Sequence, residues 1–244
     1  MLPATDIQQR LRDQGMTIAV DGGFGPKSYA VLLAWVANKS APTALMLQLG
    51  QACSDLFPQF QIDTPLRLAH NLAQACVETG GFNQLRESLN YSVSGLLSTF
   101  GTGRITSADA QRLGRKNGEP PLSADRQAAI ANIVYGGVFG RTQLGNTQPG
   151  DGFLFRGRGW KQTTGRFNYG QVKALAGLDV VNEPDLLAQP ENGVRAGCVF
   201  WASKNCNALA DADDIVGLTQ RVNGGQNGIV QRKAALLRAK QVLV

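Results

Sequence analysis

Apolar residues along this chain recur at helical spacing and almost nowhere alternate. Ile7, Leu11 and Met16 bracket a short amphipathic helix that Gly15 punctuates, and Tyr29, Leu32, Leu33 and Val36 mark the buried stripe of a second. Between them lies a turn-rich loop, Val20-Asp21-Gly22-Gly23-Phe24-Gly25-Pro26-Lys27, after which the Ser28 hydroxyl is expected to cap the second helix. Residues 38–43 read as a junction. Beyond it the pattern predicts helices over 43–56, 65–79, 92–99, 124–134, 168–176, 193–204, 212–222 and 229–242, with glycine-rich connectors between them. Beta-branched alternation is scarce, so the expected fold is mainly α with at most a small β element. The expected division is a small helical module over 1–40 and a main domain over 41–244. The stretch 136–159 is too long for an idle connector.

Composition narrows the possibilities. Hydrophobic residues make up 43% of 244, enough for a core, which excludes wholesale disorder. The longest apolar run, residues 29–37, is about half of a membrane span. The start Met1-Leu2-Pro3-Ala4-Thr5-Asp6 lacks the basic and apolar regions of a secretory signal, so synthesis in the cytoplasm is expected, with release by a separate route. Lys and Arg outnumber Asp and Glu by 24 to 18, a net +6 that favours anionic partners such as wall polymer or an envelope surface. No basic run interleaved with aromatics points to nucleic acid. Cys53, Cys76, Cys198 and Cys206 show no Cys-x-x-Cys spacing and read as buried thiols. The single histidine, His70, reads as a partly buried helix residue. One imidazole is too few for a histidine-rich zinc site, and His70 alone could serve as the base of Ser–His or Cys–His catalysis. Chemistry therefore falls to carboxylates, with no metal or cofactor expected.

Glu78 stands in the last turn before Gly80-Gly81. The partial negative charge of a helix C-terminus, with apolar Val77 and Phe82 alongside, suits a carboxyl that must hold its proton as a general acid. A surface glutamate at a frayed helix end is the plain alternative. Glu87 follows nine residues later. On one continuous helix the two would point to opposite faces, about 13 Å apart along the axis. A break at Gly80-Gly81 permits, without demanding, a fold-back to the ~6.5–9.5 Å of an inverting glycosidase pair; a solvated Arg86–Glu87 charge pair is the bland alternative. A third cluster runs from Phe155 to Gly170. Its glycines allow close backbone approach, its amides and hydroxyls suit sugar groups, and Trp160, Phe167 and Tyr169 are expected to stack on sugar faces.

Two resemblances follow from these residues. Gln8-Gln9-Arg10-Leu11, Gly15 and Asp21-Gly22-Gly23-Phe24-Gly25-Pro26-Lys27-Ser28 resemble the small helical peptidoglycan-binding modules, with Ser28 in place of the usual Thr. That resemblance implies wall-binding roles for Asp21, Gly22, Phe24 and Gly25. From about residue 45 to 240 the chain resembles glycoside hydrolase family 19, the chitinase-like family that includes phage and prophage endolysins. The landmarks are Glu78-Thr79-Gly80-Gly81, then Glu87-Ser88-Leu89-Asn90-Tyr91. Next comes Phe155-Arg156-Gly157-Arg158-Gly159-x-x-Gln162-x-Thr164 with Asn168-Tyr169, and finally Asn223-Gly224-Gly225-x-Asn227-Gly228.

The resemblance implies a lysozyme-like, two-lobed helical domain that cleaves β-1,4 bonds of N-acetylated amino sugars with inversion. Carried over by position, Glu78 is the acid, Glu87 the base that activates water, and Thr164 helps to hold that water. Gln162, Asn168, Asn223 and Tyr91 match substrate-contacting positions, and Arg232 matches a basic residue supporting the carboxyl network. Read by themselves, the other cations of the last helix, Lys233, Arg238 and Lys240, are expected to be solvated charges near a helix C-terminus, with an envelope-disrupting amphipathic stretch as the alternative. Two departures stand out: Val77 where the family usually has His before the acid, and Phe167 where relatives often have Tyr.

The leading expectation is a bacteriolytic peptidoglycan hydrolase, an endolysin acting as a monomer after holin-type release. A chitinase with the same chemistry and a non-catalytic wall-binding protein are the alternatives.

Overall fold

The computed structural model describes residues 2–244. Many helices start where the sequence supplies a hydroxyl or carboxylate. Thr43, Thr64, Ser92, Thr106, Ser123 and Asp214 each accept a hydrogen bond from a backbone N–H three residues on. In chain order the helices are α1 (Ala4–Asp13), α2 (Pro26–Val36), α3 (Ala44–Leu56), α4 (Pro65–Glu78), α5 (Val93–Phe100), α6 (Ser107–Leu113) and α7 (Ala124–Val134). They continue with α8 (Gly137–Phe139), α9 (Asp151–Leu154), α10 (Arg166–Ala176), α11 (Pro190–Ser203), α12 (Cys206–Asp211), α13 (Ile215–Asn223) and α14 (Ile229–Leu243). Extended pairing among the described residues is limited to isolated bridges, Arg86–Arg158, Arg158–Thr163 and Ser92–Arg115. The expected mainly helical fold with a small β element is what the chain adopts. No helix among the described residues is long and apolar enough to cross a membrane.

The chain divides into two compact units. The first holds everything up to Leu85, together with Gly159–Gln162 and Leu186–Val244. Its centre is α4, buried continuously from Leu68 to Cys76 because α2, α12, α13 and α14 all pack on it. A helix sheathed on every side must satisfy its polar side chains internally. His70 bonds Asp213 at 2.7 Å, Asn71 accepts from Trp160 Nε1 at 3.1 Å, and Gln74 donates to Thr219 at 3.2 Å. His70 is thus fully buried, and burial pushes its pKa below the ordinary value against the opposing pull of Asp213. Residues of α1 and α2 share this core: Ile7, Leu11, Leu32, Leu33 and Val36 cluster with Leu49, Leu72 and Leu236. All four cysteines are buried free thiols of this unit.

The second unit spans Arg86–Arg158 and Thr163–Asp185. Its core is built by Leu89, Leu96, Ile105, Leu113, Ile130, Val134 and Tyr135 from α5, α6, α7 and their connectors.

Several local expectations change. Ser28 lies inside α2 rather than capping it: Pro26 opens the helix, and the buried Ser28 hydroxyl bridges Gln8 Nε2 and the Gly23 carbonyl, both at 3.2 Å. The helix predicted over 212–222 begins only at Ile215, because Asp213 takes a left-handed φ of 56° and Asp214 becomes the cap. Helices α6 and α12 escaped the pattern because each is under two turns long. The stretch 136–159 holds α8, a π-helical turn at Gly140–Leu144 and α9. On α14, Arg238 and Lys240 are not free solvated cations. Arg238 donates to the Val36 carbonyl at 2.8 Å, while its own carbonyl accepts from Trp35, and Lys240 bonds Asp213.

Candidate active site

In the first unit, the end of α4 carries Glu78. The chain leaves the helix through three consecutive left-handed residues, Gly80 (φ 57°), Gly81 (φ 75°) and Phe82 (φ 55°). Two glycines adopt this conformation freely, but Phe82 does so at a cost. Its ring is fully buried and stacked on Trp160 at 5.3 Å, and its N–H donates to Thr79 Oγ1 at 3.0 Å. Gly81 N–H closes the turn on the Cys76 carbonyl at 2.7 Å. This turn fixes the last residues of α4, and with them the Glu78 backbone.

The Glu78 carboxylate meets Arg232 of α14, whose Nη2 donates to Oε1 at 2.6 Å. Arg232 is 2% exposed, and its other two nitrogens are also bonded: Nη1 to Gln74 Oε1 at 2.6 Å, and Nε to the Asn227 carbonyl at 3.3 Å. Such a guanidinium is locked in orientation. Val77 packs on the turn before α14, since a Cβ at Gly228 would stand 3.1 Å from its methyl group. Gln162, with a left-handed φ of 52°, donates to the Gly159 carbonyl at 3.1 Å, and Asn223 is exposed at the end of α13.

In the second unit, Glu87 is held from both sides. Tyr135 Oη donates to Oε1 at 2.6 Å and Gly157 N–H to Oε2 at 3.1 Å, while Glu87 N–H binds the Gly157 carbonyl at 2.8 Å. Burial pushes its pKa above the ordinary carboxylate value; Tyr135, Gly157 and the charges of Arg156 and Arg104 pull the other way. Burial and then the Glu87 charge push the Tyr91 pKa above its ordinary value, and Phe100 packs edge-on against both Tyr91 and Tyr135. Thr164 and Asn168 come together through Asn168 Nδ2 on the Thr164 carbonyl at 2.8 Å.

One alternative and one expectation are overturned. Arg86 does not pair with Glu87; it reaches Asp185 at 3.1 Å, where the buried Arg158 also binds. Trp160 and Tyr169 are not sugar-stacking platforms, because they are 3% and 0% exposed. Trp160 packs between Phe57 and Phe82, and Tyr169 packs on Phe155 while its hydroxyl exchanges contacts with Arg158 and the Arg156 carbonyl. Of the three aromatics only Phe167 is exposed. Pattern reading also missed Tyr135 and the Gly157 N–H, since neither a lone tyrosine nor a backbone donor leaves a spacing signal.

Comparison with known proteins decides the family. A glycosyl hydrolase family 19 domain-containing protein of Haemophilus influenzae is 35% identical over 209 residues, covering 84% of this chain and 93% of its own. The chain belongs to glycosyl hydrolase family 19. No family model matches it. Among solved structures, chitinase C from Streptomyces griseus aligns with TM-score 0.54 at 17% identity, over 91% of this chain and 95% of its own. A mutant of chitinase C aligns with TM-score 0.53 at 18% identity, over 91% and 78% respectively. This family 19 protein is therefore a glycosidase with a glycan substrate and a chitinase-like fold.

Proposed function

We propose that this family 19 glycosidase hydrolyses the β-1,4 bonds of peptidoglycan by inversion, with Glu78 as general acid and Glu87 as general base. Glu78 gives its proton to the leaving oxygen as the glycosidic C–O bond breaks, and the bonding pair stays on that oxygen. Water attacks the anomeric carbon from the opposite face and loses its proton to Glu87. Thr164 helps to hold that water, Gln162, Asn168, Asn223 and Tyr91 bind the sugar chain, and Arg232 supports Glu78. The observation that carries this assignment is membership of family 19, shown by the Haemophilus influenzae relative, with Glu78 and Glu87 standing at the motif positions of that family's acid and base. Tyr135 Oη and the Gly157 N–H both donate to Glu87 and so favour the ionised form that a base needs.

Peptidoglycan is favoured by the loop from Asp21 to Gly25. Gln8 organises it through four hydrogen bonds: its Nε2 donates to Asp21 Oδ1 and the Gly23 carbonyl, and its Oε1 accepts from Asp21 and Gly22 N–H. Such a prearranged surface, with Phe24 alongside, suits wall binding, and the net positive charge favours an anionic envelope. In this reading the protein is a monomeric bacteriolytic endolysin of phage or prophage origin. It is made in the cytoplasm and reaches the wall through holin-type release. A chitinase is the second reading, favoured by the likeness to chitinase C.

The deciding experiment treats purified peptidoglycan and chitin in parallel. Turbidity should fall with peptidoglycan, and mass spectrometry of the released sugar ends should identify the cut bond. Chitin oligosaccharides with intact peptidoglycan would establish the second reading.

A further inference from the structure

Lys161 occupies one of the three positions that the Phe155–Thr164 motif leaves open, and the proposed reaction gives it no part. Its ammonium is seated over the Phe200 ring, with Nζ 3.9 Å from the centroid. It lines a small, half-open pocket of about 20 Å³, room for a single water, together with Glu78, Asn71, Gln74, Trp160 and Phe200. A lysine ammonium is strongly hydrated, so a half-buried seat against an aromatic face costs part of that hydration unless charge or π density compensates.

We propose that Lys161 is a positioning residue for the glycosidase reaction: a second cation beside the Glu78 carboxyl, which with Arg232 sets how readily that carboxyl releases its proton. The proposal rests on Glu78 serving as the acid. The two cations differ in kind. Arg232 is a fixed, permanently charged fork on Oε1. The Lys161 ammonium can lose its charge, and desolvation pushes its pKa below the ordinary lysine value while the Glu78 charge opposes that shift. The other groups facing it are Cys206, Lys204 and Arg232; the thiolate form of Cys206 would favour the ammonium, and the two cations disfavour it. When Glu78 gives its proton to the leaving oxygen, it is left as a carboxylate, and a neighbouring ammonium stabilises that product of proton transfer.

The test compares Lys161→Met and Lys161→Arg in the full chain through the pH dependence of kcat/KM. Methionine keeps the stem against Phe200 and removes the charge. A carboxylic acid with fewer cations around it holds its proton to higher pH, so the alkaline limb should move up by about one unit, the low end of what one neighbouring charge does. Lys161→Arg should keep the wild-type limb. A folded Met variant with an unmoved limb, or with activity lost uniformly at every pH, overturns the proposal.

A second measurement needs no variant. In the wild-type protein, the Glu78 Cδ and Lys161 Nζ resonances should each record the other's titration, and independent titrations would overturn the proposal even if the Met variant fails to fold. This readout also separates two failures. Coupled titrations with an active Glu78→Gln enzyme would remove Glu78 as acid, whereas uncoupled titrations with an inactive one would remove only Lys161.

Discussion

Arg232 Nη2 lies 2.6 Å from Glu78 Oε1, a buried contact between the last helix and the end of the central helix, 154 residues apart in sequence. Removing Arg232 leaves the Glu78 carboxylate only the Lys161 ammonium beside it, and breaking a fully buried pair costs about 3–5 kcal/mol, the upper bound for this partly buried one. Arg232→Ala should therefore lower both the denaturation midpoint and turnover, through two separate losses: the Gln74 contacts and the Glu78 contact. Arg232→Lys should recover part of the stability but less of the turnover, because a point charge cannot serve Gln74 and Glu78 at once. Equal turnover in the Lys variant and the wild type would show that the fork geometry is dispensable.

Glu87 makes a pH prediction with a definite sign. Burial raises its pKa above the ordinary 4.5, so the ionised form is disfavoured in the folded state. For a raised carboxyl, the fold loses stability as pH climbs from the ordinary value through the raised one. Glu87→Gln should then melt higher than wild type at pH 7, with the gain vanishing below about pH 4, where both carry a neutral side chain. Its activity should fall by about 10²–10⁴-fold. Tyr135→Phe removes a hydrogen bond that favours the carboxylate, so the acid limb of kcat/KM should shift to higher pH. An acid limb that stays in place would detach Tyr135 from the tuning of Glu87.

The longer helices were legible in the sequence because their apolar positions recur over about three turns or more, whereas the caps at Thr43, Thr64 and Ser123 show themselves only in the fold. The pairing of Arg232 with Glu78 was legible only through family resemblance, since no local pattern links residues 154 apart. The roles of Trp160 and Tyr169 were misread for a physical reason. An aromatic beside glycines looks the same in sequence whether the glycine opens a ligand path or admits the ring into a core. Lys161 left no signal, because a desolvated lysine differs from a solvated one only in its neighbours.

Gly197 shows which of those two cases applies to Trp160. A Cβ there would stand 2.6 Å from the Trp160 ring, too close for any side chain without displacing it. Gly197→Ala should cost about 1–3 kcal/mol, the usual range for overpacking, despite the better helix propensity of alanine in α11. Displacing Trp160 also disturbs its stack with Phe82 and its hydrogen bond to Asn71. Activity should fall along with stability, read by thermal melting and turnover on the same preparation. An unchanged melting temperature would mean that the ring relaxes freely, and that the Trp160 seat does not support the Glu78 turn.

The N-terminal segment offers a way to separate folding from wall binding. Tyr29, Ala30, Leu32, Leu33, Ala34 and Val36 of α2 are buried, and α2 packs on α3, α4 and α14. Gly50 of α3 admits this approach: a Cβ there would meet the Pro26 carbonyl at 2.4 Å. Removing residues 1–40 would strip that cover and expose the apolar faces of three helices, so the truncated chain should aggregate or bind hydrophobic dyes. Truncation is then a poor probe of wall binding, and a point change is the better one. Gln8→Ala deletes the four hydrogen bonds that shape the loop from Asp21 to Gly25, while leaving Ile7 and Leu11 in the core. It should weaken sedimentation with purified walls and leave turnover on soluble glycan fragments within about twofold, since uniform binding to a remote surface does not alter the chemical step. If wall binding survives this change in a folded protein, the loop is not the wall-binding surface. A soluble, active fragment lacking residues 1–40 would show instead that the segment is a separable module.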